Sequence, residues 1–111
     1  AEVTDDLISV TVRCGDPLDT TVLRSYCIGA AHMAWSWVTS ESLAVDDAGI
    51  VSDLTVRSFG IVRAGDTPRI EVTIEQDDDE RPRNGSDAVF AAVAAATWIH
   101  RGTPADWPTG S

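Results

Sequence analysis

The sequence predicts an α+β domain, a mostly antiparallel sheet of about four to five strands packed with two helices. Two observations carry that reading. The runs LISVTVR at 7–13 and RIEVTIE at 69–75 alternate apolar and polar residues with the period of a half-buried strand. The runs at 20–41 and 88–100 are too long and too continuously apolar or alanine-rich for strands, and read as helices. Their order along the chain is β-α-β-β-(β)-β-α, the bracketed strand being the irregular segment at 55–62.

The first strand places Ile8, Val10 and Val12 on one face and Leu7, Ser9 and Thr11 on the other. Cys14-Gly15-Asp16-Pro17 breaks it. Asp19 or Thr20 then caps the first helix, because a short oxygen-bearing side chain can accept from the free N–H groups of the first turn. This helix, TTVLRSYCIGAAHMAWSWVTSE, is apolar on nearly every side, with small residues at Gly29, Ala30, Ala31, Ala34 and Ser36. Such a helix must form the core or lie against something large. It carries Arg24 and His32 and is only marginally long enough for a bilayer, so it is expected to be a core helix rather than a membrane span. Trp35 and Trp37 lie about 200° apart around it, which sends one toward the sheet and the other toward a second helix or a partner chain.

Residues 43–54 predict a β-hairpin turning at Asp46-Asp47-Ala48-Gly49. Residues 55–62 are less regular, and Gly60 marks a bulge or bend. After a loop at 64–68, the strand at 69–75 points Ile70, Val72 and Ile74 inward and Glu71, Thr73 and Glu75 outward. QDDDERPRNGS at 76–86 reads as a solvated loop. Its Asp77, Asp78 and Asp79 lack the alternate spacing and the turn glycine of a calcium loop. Ser86 or Asp87 is expected to cap the second helix, with Val89, Val93, Ala96 and Ile99 as its buried stripe. His100 and Arg101 suit its negative end, and Gly102 ends it. In the tail, Trp107 is expected to pack back on the body.

A chain of 111 residues holds one domain and hides roughly 65% of its unfolded surface on folding. Its formal net charge is -10, and every one of its eight basic residues is Arg. That excess repels phosphate, so nucleic acid and anionic membranes are not expected partners. Cys14 and Cys27 form no CxxC and join no zinc-spaced cluster, and they read as reduced buried thiols of a cytoplasmic protein. No signal peptide is expected from AEVTDDL at the start.

Few residues are candidates for chemistry. His32 has the near-neutral pKa of its type, set against a plain packing role. Arg24 suits a carboxylate or phosphate, or a salt bridge to Asp19 or Asp16. Tyr26 and Asp87 complete the acid–base and anion-binding candidates. Cys14, beside a loop, is the better placed of the two thiols. No HExxH, Gly-rich phosphate loop or dinucleotide fingerprint occurs.

From about Val10 to Pro108 the chain resembles the C-terminal end of the molybdopterin-binding subunit of the xanthine dehydrogenase/aldehyde oxidase family of molybdenum hydroxylases. VRCGDPLD at 12–19 resembles that family's V-D-C-G-x-x-L-N. VLRSYCIGA at 22–30 resembles I-V-R-G-Q-V-E-G-G, and MAWSWV at 33–38 resembles Q-G-L-G-W-A. Phe59 and Ile61 fall where D-Y-K-I-P has its Tyr and Ile, and DTPRIEV at 66–72 resembles D-x-P-x-I-E-V.

The departures fall on the functional positions. Met33 stands where the resemblance implies a pterin-contacting Gln, and Ala34 and Ser36 replace its flanking glycines. Ser25 and Tyr26 replace an earlier Gly-Gln pair, and Ser86 or Asp87 stands in place of the catalytic Glu of G-x-G-E-P-P. The expectation is therefore a stand-alone relative with no cofactor, no metal and no inherited catalytic residue. It would act by binding, as a homo-oligomer or beside a protein partner subunit. The alternatives are a small cofactor-independent enzyme using His32, Arg24, Tyr26 or Asp87, and a split subunit of a xanthine dehydrogenase-type oxidoreductase complex.

Overall fold

A computed structural model describes residues 1–79 and 81–110. Strand β2 (Leu7–Val12) lies at the centre of a three-stranded sheet. The short β1 (Glu2–Val3) pairs with it antiparallel, Glu2 opposite Ser9. On its other side β5 (Arg69–Ile74) runs parallel, from Leu7 opposite Arg69 to Val12 opposite Ile74.

That parallel pairing corrects the expected mostly antiparallel sheet of four to five strands. Its cause is the connection. Between β2 and β5 the chain passes through a long helix and an arm, and such a crossover returns it to the same end of the sheet. The hairpin does form, as β3 (Ala44–Val45) and β4 (Val51–Ser52), but as a separate two-stranded sheet. Asp46 closes its turn, its Oδ1 accepting from Ala48 N and Ile50 N at 2.9 Å each.

Helix α1 (Thr20–Thr39) begins where Asp19 accepts from Thr21 N (2.9 Å) and Val22 N (3.1 Å). It stops as the backbone N–H groups of Ser40 and Glu41 both turn back to Ser36 O. The irregular segment after the hairpin contains a third helix, α2 (Val56–Phe59), which the two-helix expectation omits. Four residues are too few to display a helical period. Gly60 is its left-handed terminator (φ 88) rather than a strand bulge. A Cβ there would meet Ser40 O at 2.8 Å.

Helix α3 (Ser86–His100) starts one residue earlier than a Ser86 cap requires and two earlier than an Asp87 cap. Gly85 occupies the cap position without a side-chain bond, and Asn84 Oδ1 takes Ser86 N at 2.9 Å. The buried face is Val89, Val93, Ala94 and Thr97; Ile99 is 63% exposed. The expected stripe is corrected because α3 packs chiefly on α1 rather than flat on the sheet.

The core joins Ile8, Val10, Val12 and Val72 of the sheet to Cys27, Ala30, Ala31, Ala34 and Val38 of α1 and Val89, Val93 and Ala94 of α3. The small buried side chains Ala30, Ala31 and Ala34 of α1 and Ala94 of α3 let the two helix backbones approach closely. The buried hydroxyls of Thr39 and Thr97 donate to the carbonyls one turn back, Trp35 O (2.8 Å) and Val93 O (2.7 Å), so neither is orphaned. Trp35 is buried, while Trp37 stacks between Phe90 and Trp107 at centroid distances of 5.5 and 5.1 Å. Trp107 Nε1 donates to Trp37 O at 3.2 Å, which docks the tail as expected.

The molecule measures 53 × 26 × 25 Å, with a radius of gyration of 15.9 Å. A compact domain of this size has a radius of gyration of about 13 Å. Residues 43–61 form an arm in which β3 and β4 pack on each other. No helix among the described residues is long and apolar enough to cross a membrane.

Candidate functional site

A groove of about 390 Å³ opens between the start of α1 and the segment leading into α3. Pro17, Leu18, Val22, Leu23 and Tyr26 line one side, and Cys14, Pro82, Arg83, Asn84, Gly85 and Ser86 the other. Its geometry follows from a clamp on the far side of the strand end. Gly15 N donates to Asp77 Oδ2 (2.9 Å), Arg83 N donates to Cys14 O (3.2 Å), and Asp16 N donates to Arg81 O (3.3 Å). Gly15 has φ 75, and a Cβ on it would sit 2.0 Å from Arg81 O, so this crossing demands glycine.

The acidic loop is therefore more than a solvated run. Asp77 also accepts from Asp79 N (3.1 Å), and Asp79 accepts from Arg81 N (3.0 Å) and Arg83 Nε (2.7 Å). Backbone N–H groups of Asp79 and Gly15 hold the Asp77 carboxyl below the usual carboxylate range. The Arg81 N–H, then the Arg83 side chain, do the same for Asp79. Among the described residues no group of three or more His, Cys, Asp or Glu is arranged to hold a metal ion.

The four candidate residues lie in separate places. Tyr26, 65% exposed, faces the groove just described. His32 lines a different groove of about 460 Å³, with Ile28, Pro68 and Ile70, and its Nε2 lies 2.8 Å from Val62 O. Arg24 donates to Val72 O of β5. This corrects the expected bridge to Asp19 or Asp16; the guanidinium reaches down the helix flank to a carbonyl rather than back to the cap. Asp87 is exposed and accepts from Asn84 Nδ2 at 3.4 Å. Arg24 and His32 are eight residues apart on one helix, about 12 Å along its axis, and each bonds a different backbone carbonyl, Val72 O and Val62 O.

The cysteines are both free and buried. Burial pushes the Cys27 thiol up, with a smaller push from nearby Cys14, and Arg24 opposes both. Cys14 lines the first groove, but among the described residues no hydrogen bond joins its thiol to a base. The arrangement offers an apolar groove with polar edges and, among the described residues, no nucleophile–base pair.

One polar pair escaped the sequence reading. His100 Nε2 lies 2.8 Å from Asp5 Oδ1 and ties the end of α3 to the turn between β1 and β2. Its hydrogen bond, more than its charge, holds the Asp5 carboxyl low. The two residues are ninety-five positions apart, and no local pattern signals such a contact.

The larger omission is a surface. Leu43, Val45, Ile50, Leu54, Val56 and Ile61 of the arm are all between 48% and 76% exposed. On α1 the apolar face is divided: Val22, Tyr26 and Met33 are 48%, 65% and 54% exposed opposite the buried alanines. An even spread of apolar residues around a helix does not reveal which side its own chain leaves uncovered.

No protein-family model matches the chain, and no curated protein sequence matches it.

Proposed function

We propose that this chain is a cofactor-free relative of the C-terminal end of the molybdenum-hydroxylase molybdopterin-binding subunit, and that it works by binding protein. It acts as an oligomer of itself or as a small subunit beside another chain. The carrying observation is the arm, where six large apolar side chains stand about half or more exposed on the two-stranded ribbon and on the segment with the short helix α2 that follows it. Single exposed apolar residues are ordinary, but a contiguous set marks an interaction surface. A two-stranded ribbon is also marginal in water without a further layer.

The positions of the resemblance support the loss of the cofactor. Met33, where the family has its pterin-contacting Gln, presents a thioether with no hydrogen to donate, 54% exposed on the outside of α1. Ser86 donates to Asn84 Oδ1 at 2.8 Å, and Asp87 lies in the first turn of α3. These residues do not fit a pterin cofactor or its catalytic base. The cofactor-independent enzyme is weakened because Tyr26 and His32 line different grooves and Arg24 is engaged by a backbone carbonyl. The net charge of -10 argues against nucleic acid, and the two free thiols support a reducing cytoplasm.

Light scattering at micromolar concentration tests the reading, and a dimer or larger species is expected. Leu54→Ser with Val56→Ser, both on the arm and outside the core, should weaken association with this chain or with a copurifying partner at least fivefold. A clean monomer that captures no defined partner from its native source contradicts it. Metal analysis of the copurified material separates a split oxidoreductase subunit, which would arrive with molybdenum on its partner, from the cofactor-free assembly.

A further inference from the structure

The uncovered side of α1 has an internal symmetry. Its large exposed residues are Val22, Tyr26, Met33 and Trp37, at 48%, 65%, 54% and 45% exposure. With 3.6 residues per turn they fall, together with Gly29, inside an arc of about 80°. Val22 and Trp37 are equidistant from the midpoint between Gly29 and Ala30, and so are Tyr26 and Met33. A two-fold axis through that midpoint, perpendicular to the helix, sets α1 antiparallel to a copy of itself. Tyr26 then faces Met33 of the second copy, a sulfur–aromatic pairing, and Val22 faces the exposed part of Trp37. Nothing lies within 4 Å of where a Cβ on Gly29 would stand. At the crossing point the helix surface is therefore bare backbone, which allows close interaxial approach.

We propose that a second copy of this chain docks on α1 in this antiparallel, two-fold register. The inference rests on the binding reading above and names one of its surfaces. Charge selects the occupant. The chain carries -10 overall, yet the stripe of Val22, Tyr26, Gly29, Met33 and Trp37 includes no carboxylate and no Arg. A basic partner gains nothing specific from this seam, and between Val22 and Trp37 the two acidic copies set no carboxylate against another. Area sets the strength. The seam from Val22 to Trp37 is about 24 Å long and about 10 Å wide, a footprint of about 240 Å² per copy before corrugation. That is below the size of the standard stable interface and suits a weak self-association seen in the micromolar range and above.

Sedimentation equilibrium of the full chain, with circular dichroism to confirm the fold, tests the register. Gly29→Leu fills the crossing point and improves helix propensity, so a folded protein with at least tenfold weaker dimerisation is expected. Tyr26→Lys and Met33→Glu should each weaken the dimer at least tenfold. Combined in one chain, the two substitutions set the introduced ammonium of each copy against the introduced carboxylate of the other, twice per dimer. That double variant should associate at least fivefold more tightly than either single variant. A parallel arrangement would set ammonium on ammonium and show no such recovery. A dimer indifferent to all three substitutions but dissociated by Leu54→Ser with Val56→Ser overturns this seam and leaves the binding reading standing. A wild-type monomer at all micromolar concentrations overturns the seam, while a defined heterologous partner on the arm would still uphold the binding reading.

Discussion

Arg24 of α1 donates to Val72 O on β5, forty-eight positions away, and so holds the long helix to the edge strand of the sheet. The bond meets an edge carbonyl. Arg69 N and Glu75 N donate toward β2, so the backbone groups of Val72, at the alternate parity, point away from it. Arg24→Ala should free that carbonyl and remove the aliphatic stem from the helix flank, costing about 1–2 kcal/mol. Chemical denaturation checks it, and Arg24→Met should recover the part that belongs to packing.

Val93 is fully buried where α3 meets α1. Val93→Ala removes two methyl-sized groups and leaves a small cavity, an expected loss of about 2–3 kcal/mol. A substitution on the uncovered side of the same layer, Met33→Ala, should change monomer stability by less than about 1 kcal/mol. Equal losses at both positions would show that the assignment of buried and open faces is wrong.

Gly60 and Gly15 are set by backbone geometry. Gly60→Ala forces a side chain into a left-handed residue 2.8 Å from Ser40 O and should cost about 1–2 kcal/mol or more. The readout is the thermal midpoint, with Gly49→Ala in the open hairpin turn as the comparison that lacks the close contact.

Asp5, Asp77 and Asp79 all hold their protons less tightly in the fold than in the unfolded chain. The unfolded state therefore binds more protons in the acid range. Their stabilisation is present above the ordinary carboxylate pKa and is lost as pH falls through the lowered values. Thermal midpoints should decline below about pH 4, and Asp77→Asn with Asp79→Asn should flatten that acid limb. An unchanged acid limb in the double variant would contradict the backbone clamp around Gly15.

Much of this architecture is legible along the chain, and the failures have physical causes. Ile8-Val10-Val12 and Ile70-Val72-Ile74 declare two strands by period alone, and the apolar run into Thr39 declares a helix. The direction of β5 is not local; it depends on a crossover that carries the chain through α1 and the arm. Residues 56–59 are too short to show a period. Asp19 caps α1 as its side-chain chemistry indicates, but Gly85 displaces Ser86 and Asp87 at α3 because Asn84 takes over the capping bond. Arg24 and His32 are recognisable as types, yet their destinations are set by contacts forty-eight and thirty positions away. Fewest signals marked the exposed surfaces, because an apolar residue reads the same whether its own chain or another one covers it.

The central claim is that this chain works by associating through those surfaces. Sedimentation equilibrium of the unmodified protein across the micromolar range tests it most directly. A concentration-dependent shift from monomer to dimer is expected, weakened at least tenfold by Gly29→Leu. A single monomeric species throughout that range, with no defined protein captured from its native source, would contradict the account.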